Sequence, residues 1–173
     1  MSYNSLYTKA YDQFHHSTPL KLDCGTLCQR ACCRGLEEDS GMWLFPGEED
    51  LLIQEPSYKI QPIGLKLKNG RPLQWLICTG ECVRRIRPLA CRLFPLSPYL
   101  NQKGILTTII DPRSKSLCPL AGQPEQLQKE FIQIANRVCR QLAREPEILE
   151  FIEILTSQIE DYRKLAGLFG REL

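Results

Sequence analysis

The sequence predicts one α+β domain with a small antiparallel sheet, made of a hairpin plus one further strand, and several helices. Three observations favour this class. Asn69-Gly70 separates two strand-like runs, apolar residues recur at helical spacing near both ends of the chain, and nine of the 173 residues are cysteines. A chain of this length typically forms one domain.

Helical periodicity is present at both ends of the chain. The first helix is predicted over 3–16, where the apolar residues fall on one face. Two longer helices are predicted over 124–143 and 146–168, each opened by a proline in its first turn. The segment 44–50 is predicted to be a loop that opens a short helix, because Glu48, Glu49 and Asp50 suit a first helical turn. We expect the C-terminal pair of helices to cover the core.

The hairpin is the clearest strand signal. The runs 60–68 and 71–78 flank Asn69-Gly70, a pair that favours the left-handed backbone of a tight hairpin turn. A third strand is predicted over 105–110, bounded by turn residues. We expect it to join the hairpin in the same antiparallel sheet.

Composition limits the class of protein. No linker or repeat divides the chain, so we predict a single domain over 1–173, with a motif core at about 22–120 and a helical part at about 122–170. No apolar run approaches the roughly 18 residues of a membrane span, and the first residues lack the apolar stretch of a secretory signal. A net charge of +2 argues against a dedicated nucleic-acid or membrane binder. We therefore expect a cytoplasmic protein whose partner is another protein.

Eight of the nine cysteines fall in three close-spaced groups. Disulfides would need an oxidising compartment and would leave one thiol over, while cysteines that merely pack in a core would not cluster. Clustering therefore favours metal ligation. Cys139 stands apart in an apolar helical pattern that is typical of a core residue. The predicted metal ligands are Cys24, Cys28, Cys32, Cys33, Cys78, Cys82, Cys91 and Cys118.

The spacing in the first group limits how these cysteines share a metal. On a straight helix, Cys24 and Cys32 would lie about 12 Å apart along the axis, too far for one ion. Either the segment loops around the metal or its cysteines serve more than one centre. Cys33 points about 100° away from Cys32 on a helix, so one or both of them act as ligands. Eight thiolates would fill two tetrahedral sites or one site with spares, and four suit either zinc or a [4Fe–4S] cluster. The predicted α+β domain is thus organised around a cysteine-ligated metal centre.

Arginines interleave with the second cysteine group. Arg87 and Arg92 are predicted to lie beside the cofactor and to offset the negative charge of an all-thiolate site. Two alternatives stay open for these arginines: a solvated basic face, or contacts to phosphate or RNA.

The order of these motifs resembles the YkgJ-like cysteine-cluster family, described as a zinc- or iron-chelating domain. The resemblance covers about residues 22–120 and depends on CGTLCQRACC, LFPGEED, ICTGECVRRIRPLACRLFP and a late Cys-Pro. Glu48 or Glu49 corresponds to the acidic position of the family. The first cysteine gap has three residues here and often two in relatives. The resemblance implies metal binding in a cytoplasmic protein and implies no particular reaction.

The sequence therefore predicts a metal-binding protein that is a structural, accessory or redox module. The alternative is an iron–sulfur redox enzyme or an enzyme-accessory factor that acts in electron transfer, sensing or modification of a partner protein. Little favours an enzyme: the only two histidines are adjacent, and no phosphate loop or Ser-His-Asp set is present. No catalytic residue is predicted, and surplus thiolates favour a closed metal site over an open catalytic one.

Overall fold

The fold is α+β, as predicted, with small antiparallel sheets and helices. The computed structural model describes residues 3–33, 41–78 and 84–168. In that part of the chain the helices are α1 (Tyr3–Gln13), α2 (Glu49–Leu52), α3 (Leu89–Leu93), α4 (Lys129–Leu142) and α5 (Pro146–Leu168). The strands are β1 (Met42–Trp43), β2 (Tyr58–Lys66), β3 (Pro72–Cys78), β4 (Leu96–Leu100) and β5 (Leu106–Ile110). Short 3₁₀ turns link several of them.

The predicted hairpin is confirmed. Strands β2 and β3 pair antiparallel, with Tyr58 opposite Cys78, and the turn between them contains Asn69-Gly70. Gly70 has a φ of 87°, the left-handed conformation that glycine adopts without strain. The Asn69 side chain accepts a hydrogen bond from the Arg71 amide at 3.0 Å and so closes the turn.

The prediction that the strand at 105–110 joins this hairpin is wrong. That strand is present as β5, but it pairs with β4 in a separate two-stranded sheet. The third strand of the hairpin's sheet is β1, which pairs with β3 through two residues only. Strand β4 was not predicted because it contains Pro98, and proline lacks the backbone N–H that a strand interior needs. A two-stranded sheet tolerates this proline, since each of its strands has one unpaired edge.

Helix α5 has the predicted bounds, whereas two other predicted helices are too long. Helix α1 ends at Gln13 rather than at 16. Helix α4 begins at Lys129 rather than at 124, because Leu127 and Gln128 have extended backbones that separate it from a 3₁₀ turn over Pro124–Gln126. Pro124 therefore opens that turn and not the helix.

The main core lies between the helices and the β4–β5 sheet. Helix α4 packs on β5 and α5 packs on β4, and the C-terminal helices cover the core as predicted. The Phe45 and Phe151 rings are 4.9 Å apart, which joins the loop before α2 to α5. Cys139 is fully buried on α4, so its prediction as a core residue is confirmed. Among the described residues, no helix combines the length and apolarity needed to cross a bilayer.

Candidate metal centre

The first cysteine group lies on a loop rather than on a helix. Two 3₁₀ turns, Cys24–Thr26 and Ala31–Cys33, are separated by residues with left-handed backbones. Gln29 and Arg30 have φ angles of 49° and 59°, which a continuous right-handed helix does not allow. The Asp23 side chain caps the first turn. The segment is therefore a loop, and the straight helix that would separate Cys24 from Cys32 by about 12 Å is not formed.

Cys91 and Cys118 reach the same region from other parts of the chain. Cys91 lies on α3, a helix that follows Pro88. Cys118 ends the turn over Pro112–Ser116, and its amide donates to the Ser114 carbonyl at 2.8 Å. Pro119 then opens the next turn, so the backbone direction at Cys118 is fixed on both sides.

These segments converge on one cavity of about 50 Å³. Phe14, Phe94 and Leu120 form part of an apolar wall, and Arg87 and Arg92 also line the cavity. Most of the lining cysteines are partly or fully buried, whereas Cys32 is exposed at its edge. The cysteines that line it are Cys24, Cys28, Cys32, Cys91 and Cys118.

Of the remaining predicted ligands, the structure describes the side chain of Cys78 alone, and Cys78 does not line this cavity. Cys78 lies at the end of β3 and packs against Leu44, Leu52 and Leu76, a separate small apolar cluster. Cys82 and the side chain of Cys33 fall outside the described part of the chain.

The donor set fits a thiophilic metal. Zinc and iron–sulfur clusters both take cysteine sulfurs from several chain segments, and five such sulfurs share this cavity. The described ranges contain no group of three or more His, Cys, Asp or Glu side chains already arranged to hold an ion. The cysteines are therefore gathered around a common space without forming a coordination shell.

Cys24, Cys28 and Cys118 lie close enough to influence one another electrostatically. Burial is the main cause that raises the pKa of Cys24; nearby Asp23, Cys118 and Cys28 raise it further and Arg87 lowers it. Burial likewise raises the pKa of Cys118, with Cys28 adding to the shift. These thiols are neutral at ordinary pH, and a bound cation would favour their thiolate form.

Arg92 binds the chain segment that precedes Cys91. Its side chain is only 9% exposed. Its Nε donates to the Arg87 carbonyl at 2.6 Å and its Nη2 to the Arg85 carbonyl at 2.8 Å. The guanidinium lies over the Tyr11 ring, 4.3 Å from the centroid. The sequence predicted Arg92 as a positive charge beside the cofactor. The structure shows in addition that its guanidinium group binds two backbone carbonyls.

Glu48 is a fully buried acidic residue whose side chain contacts the first turn of α3. Its Oε1 accepts hydrogen bonds from the Tyr11 hydroxyl and the Leu89 amide, both at 2.6 Å. Its Oε2 accepts one from the Phe45 amide at 3.2 Å. Burial raises the pKa of Glu48 to about 7, although these hydrogen bonds and nearby Arg92 lower it. One side chain thus joins α1, the loop before α2 and the first turn of α3.

Sequence reasoning named Glu48 and Glu49 as equivalent candidates for one acidic position, and the structure separates them. Glu49 forms an ion pair with Arg71 at 2.8 Å on a half-buried surface. Only Glu48 contacts the helix that carries Cys91. In the sequence, Glu48 is recognisable only as an acidic residue between an apolar stretch and a short predicted helix. That position does not show that Glu48 contacts Tyr11 and Leu89.

No family model matches the chain, and no curated protein or solved structure matches it significantly. The resemblance to the YkgJ-like family therefore stays a prediction that depends on the cysteine spacing and on the Arg87-Pro88 and Phe94-Pro95 motif.

Proposed function

We propose that this chain is a metal-binding protein that holds zinc or an iron–sulfur cluster with the cysteines of this cavity. The observation that carries the proposal is the convergence of three distant segments, the 24–33 loop, α3 and the turn before Pro119, on one cavity. A coordinated metal would cross-link these segments, and its binding energy would contribute to folding. The protein would then act as a structural or accessory module.

The competing explanations account less well for this arrangement. A core that merely packs cysteines has no use for an exposed one, yet Cys32 is exposed at the cavity edge. The seven cysteines whose side chains are described are thiols rather than disulfides. Arg87 and Arg92 supply positive charge where several thiolates would otherwise repel one another. The proposal requires a reducing compartment, such as the cytoplasm.

One observation favours the alternative of a redox or accessory factor for a partner protein. The buried side chains of Phe14 and Leu120 line the cavity, whereas Cys32, which also lines it, is exposed. An iron–sulfur cluster at this position would be shielded from water on one side and accessible to a partner on the other. The metal itself distinguishes the two roles: zinc favours the structural module, and iron with sulfide favours the redox factor.

The decisive experiment measures metal content and the absorption spectrum of the chain purified without oxygen. We expect one metal centre per chain, which Cys24→Ser or Cys118→Ser removes. Cys139→Ala is the matched control, because that cysteine is buried outside the cavity and should leave metal content unchanged. Cys78→Ser tests for a second centre. A folded wild-type chain with all its thiols reactive and no bound metal would overturn the proposal.

A further inference from the structure

A groove on the face of α4 opposite its buried residues is lined by three arginines. Arg137, Arg140 and Arg144 follow one another at intervals of three and four residues, so they share one face of the helix and its C-terminal turn. All three side chains are exposed. The groove has a volume of about 410 Å³, and its other lining residues are Ile132, Gln133, Asn136 and Gln141.

The positive charge of this groove is not compensated locally. No carboxylate lines it, and within the described ranges none of the three guanidinium groups forms an ion pair. Other arginines of the chain differ in this respect. Arg71, Arg113 and Arg163 each lie against at least one carboxylate at 2.9 Å or less.

The placement of these three arginines on one helix face does not stabilise the helix. Like charges three and four residues apart destabilise a helix. The helix dipole favours basic residues in the last turn, which covers Arg140 and the adjoining Arg144. Arg137 lies five residues before the end of α4 at Leu142, where this effect has faded. Residues that weaken a helix locally, as these arginines do, are expected at functional sites.

We propose that this groove binds the phosphate backbone of single-stranded nucleic acid. The cations are all arginines, whose planar guanidinium groups match phosphate oxygens in pairs. They extend over about 10 Å of helix axis, enough for successive phosphates of one strand. The amides of Gln133 and Gln141 lie among them and offer donors and acceptors to sugars or base edges.

The packing of α4 leaves one face of the helix for a nucleic-acid strand. The opposite face is buried along its length by residues from Phe131 to Leu142, so the exposed face carries the three arginines in one row. A flexible single strand can lie along this row with its phosphates on the guanidinium groups. The small net charge of the whole chain does not contradict this, because it sums all 22 basic and 20 acidic residues and does not describe the charge of one groove. The groove shares no lining residue with the cysteine cavity, so the inference is independent of metal binding.

The test is fluorescence anisotropy of a labelled single-stranded oligonucleotide of about 15 nucleotides, titrated with the full chain. We compare a triple Arg137→Gln, Arg140→Gln, Arg144→Gln variant with a control that replaces the exposed Lys59, Lys66 and Lys68 with glutamine. Both variants lose the same formal charge. We expect the arginine variant to bind at least tenfold more weakly and the lysine control to change less than about twofold. Circular dichroism checks that both variants fold.

Salt dependence and competition complete the test. Three phosphate contacts predict that wild-type affinity falls about 20-fold between roughly 50 and 200 mM salt, and that the arginine variant loses most of this dependence. Equal losses in both triple variants would show unspecific charge attraction and overturn the proposal. So would competition by polyglutamate as effective as that by unlabelled oligonucleotide, which would indicate an acidic peptide ligand, or an absence of wild-type binding at low salt.

Discussion

Replacing Glu48 with glutamine tests how the buried carboxylate holds the helix that carries Cys91. Glutamine keeps an oxygen for the Tyr11 hydroxyl and the Leu89 amide, but it places an NH₂ group opposite the Phe45 amide, where Oε2 accepts a hydrogen bond at 3.2 Å. Two donors then face each other in a buried site. Leaving such a group unsatisfied costs about 1–3 kcal/mol, or roughly 5 °C in melting temperature for a chain of this size.

The pH dependence of stability makes this prediction specific. The pKa of Glu48 is raised from 4.5 to about 7 in the folded state, so the folded chain holds a proton that the unfolded chain has lost between those values. This contribution to stability is complete below about pH 4.5 and is lost as pH rises to 7, by about 3 kcal/mol in total. Glutamine does not titrate. The stability of the variant relative to wild type should therefore rise by about 3 kcal/mol between pH 5 and pH 8.

Urea unfolding at pH 5, 6, 7 and 8, in the presence of a chelator, measures both stabilities without a metal contribution. Asp50→Asn is the matched control, because Asp50 lies on the same short helix but is exposed. The control should follow the wild-type pH profile. If Glu48→Gln also shows the wild-type slope between pH 5 and 7, Glu48 does not carry the proton and the reasoning fails.

Three further substitutions test other parts of the structure. Arg92→Lys cannot bridge the two carbonyls that Arg92 binds, and we expect a loss of about 1–3 kcal/mol in urea unfolding, with Lys66→Arg as a neutral control. Gly41→Ala would place a Cβ 1.4 Å from Trp75 Nε1 and 2.6 Å from the Leu76 carbonyl, so we expect at least about 2 kcal/mol of destabilisation and a red-shifted tryptophan emission. Cys118→Ser should lower the melting temperature of metal-loaded protein far more than that of chelated protein; equal shifts would assign Cys118 a packing role only.

The helices and strands that were predicted correctly can be recognised from residues close together in the sequence. The hairpin depends on Asn69-Gly70 and the alternation beside it, and α5 on a long apolar repeat after Pro146. The elements that were missed lack such a signal. Strand β1 has two residues and exists only because β3 pairs with it, and β4 contains a proline that only an unpaired edge tolerates.

The candidate site was predictable as a set of residues but not as an arrangement. Close spacing selected eight cysteines, and five of them line the cavity, but spacing alone could not separate these five from Cys78, which packs in another cluster. Glu48 is the clearest example of missing information. Its partners lie 37 and 41 residues away along the chain, and no local pattern reports such contacts.

The position of Cys91 depends on tertiary contacts on both sides of it. Helix α3 has five residues, too few to be stable on its own. Glu48 fixes its first amide at Leu89, and Arg92 fastens its end to the carbonyls of the preceding turn. These contacts of Glu48 and Arg92 therefore hold Cys91 at the cavity.

The 24–33 loop differs from α3 in how it is held. Hydrogen bonds inside the loop brace it, such as those from the Arg30 amide to the Gly25 carbonyl and from the Ala31 amide to the Cys28 carbonyl. Cys24 also packs against the main core, so the loop lies beside the segments that carry Cys91 and Cys118. On the proposed function, a metal would cross-link this loop to those two segments, and its binding energy would add to the stability of the fold.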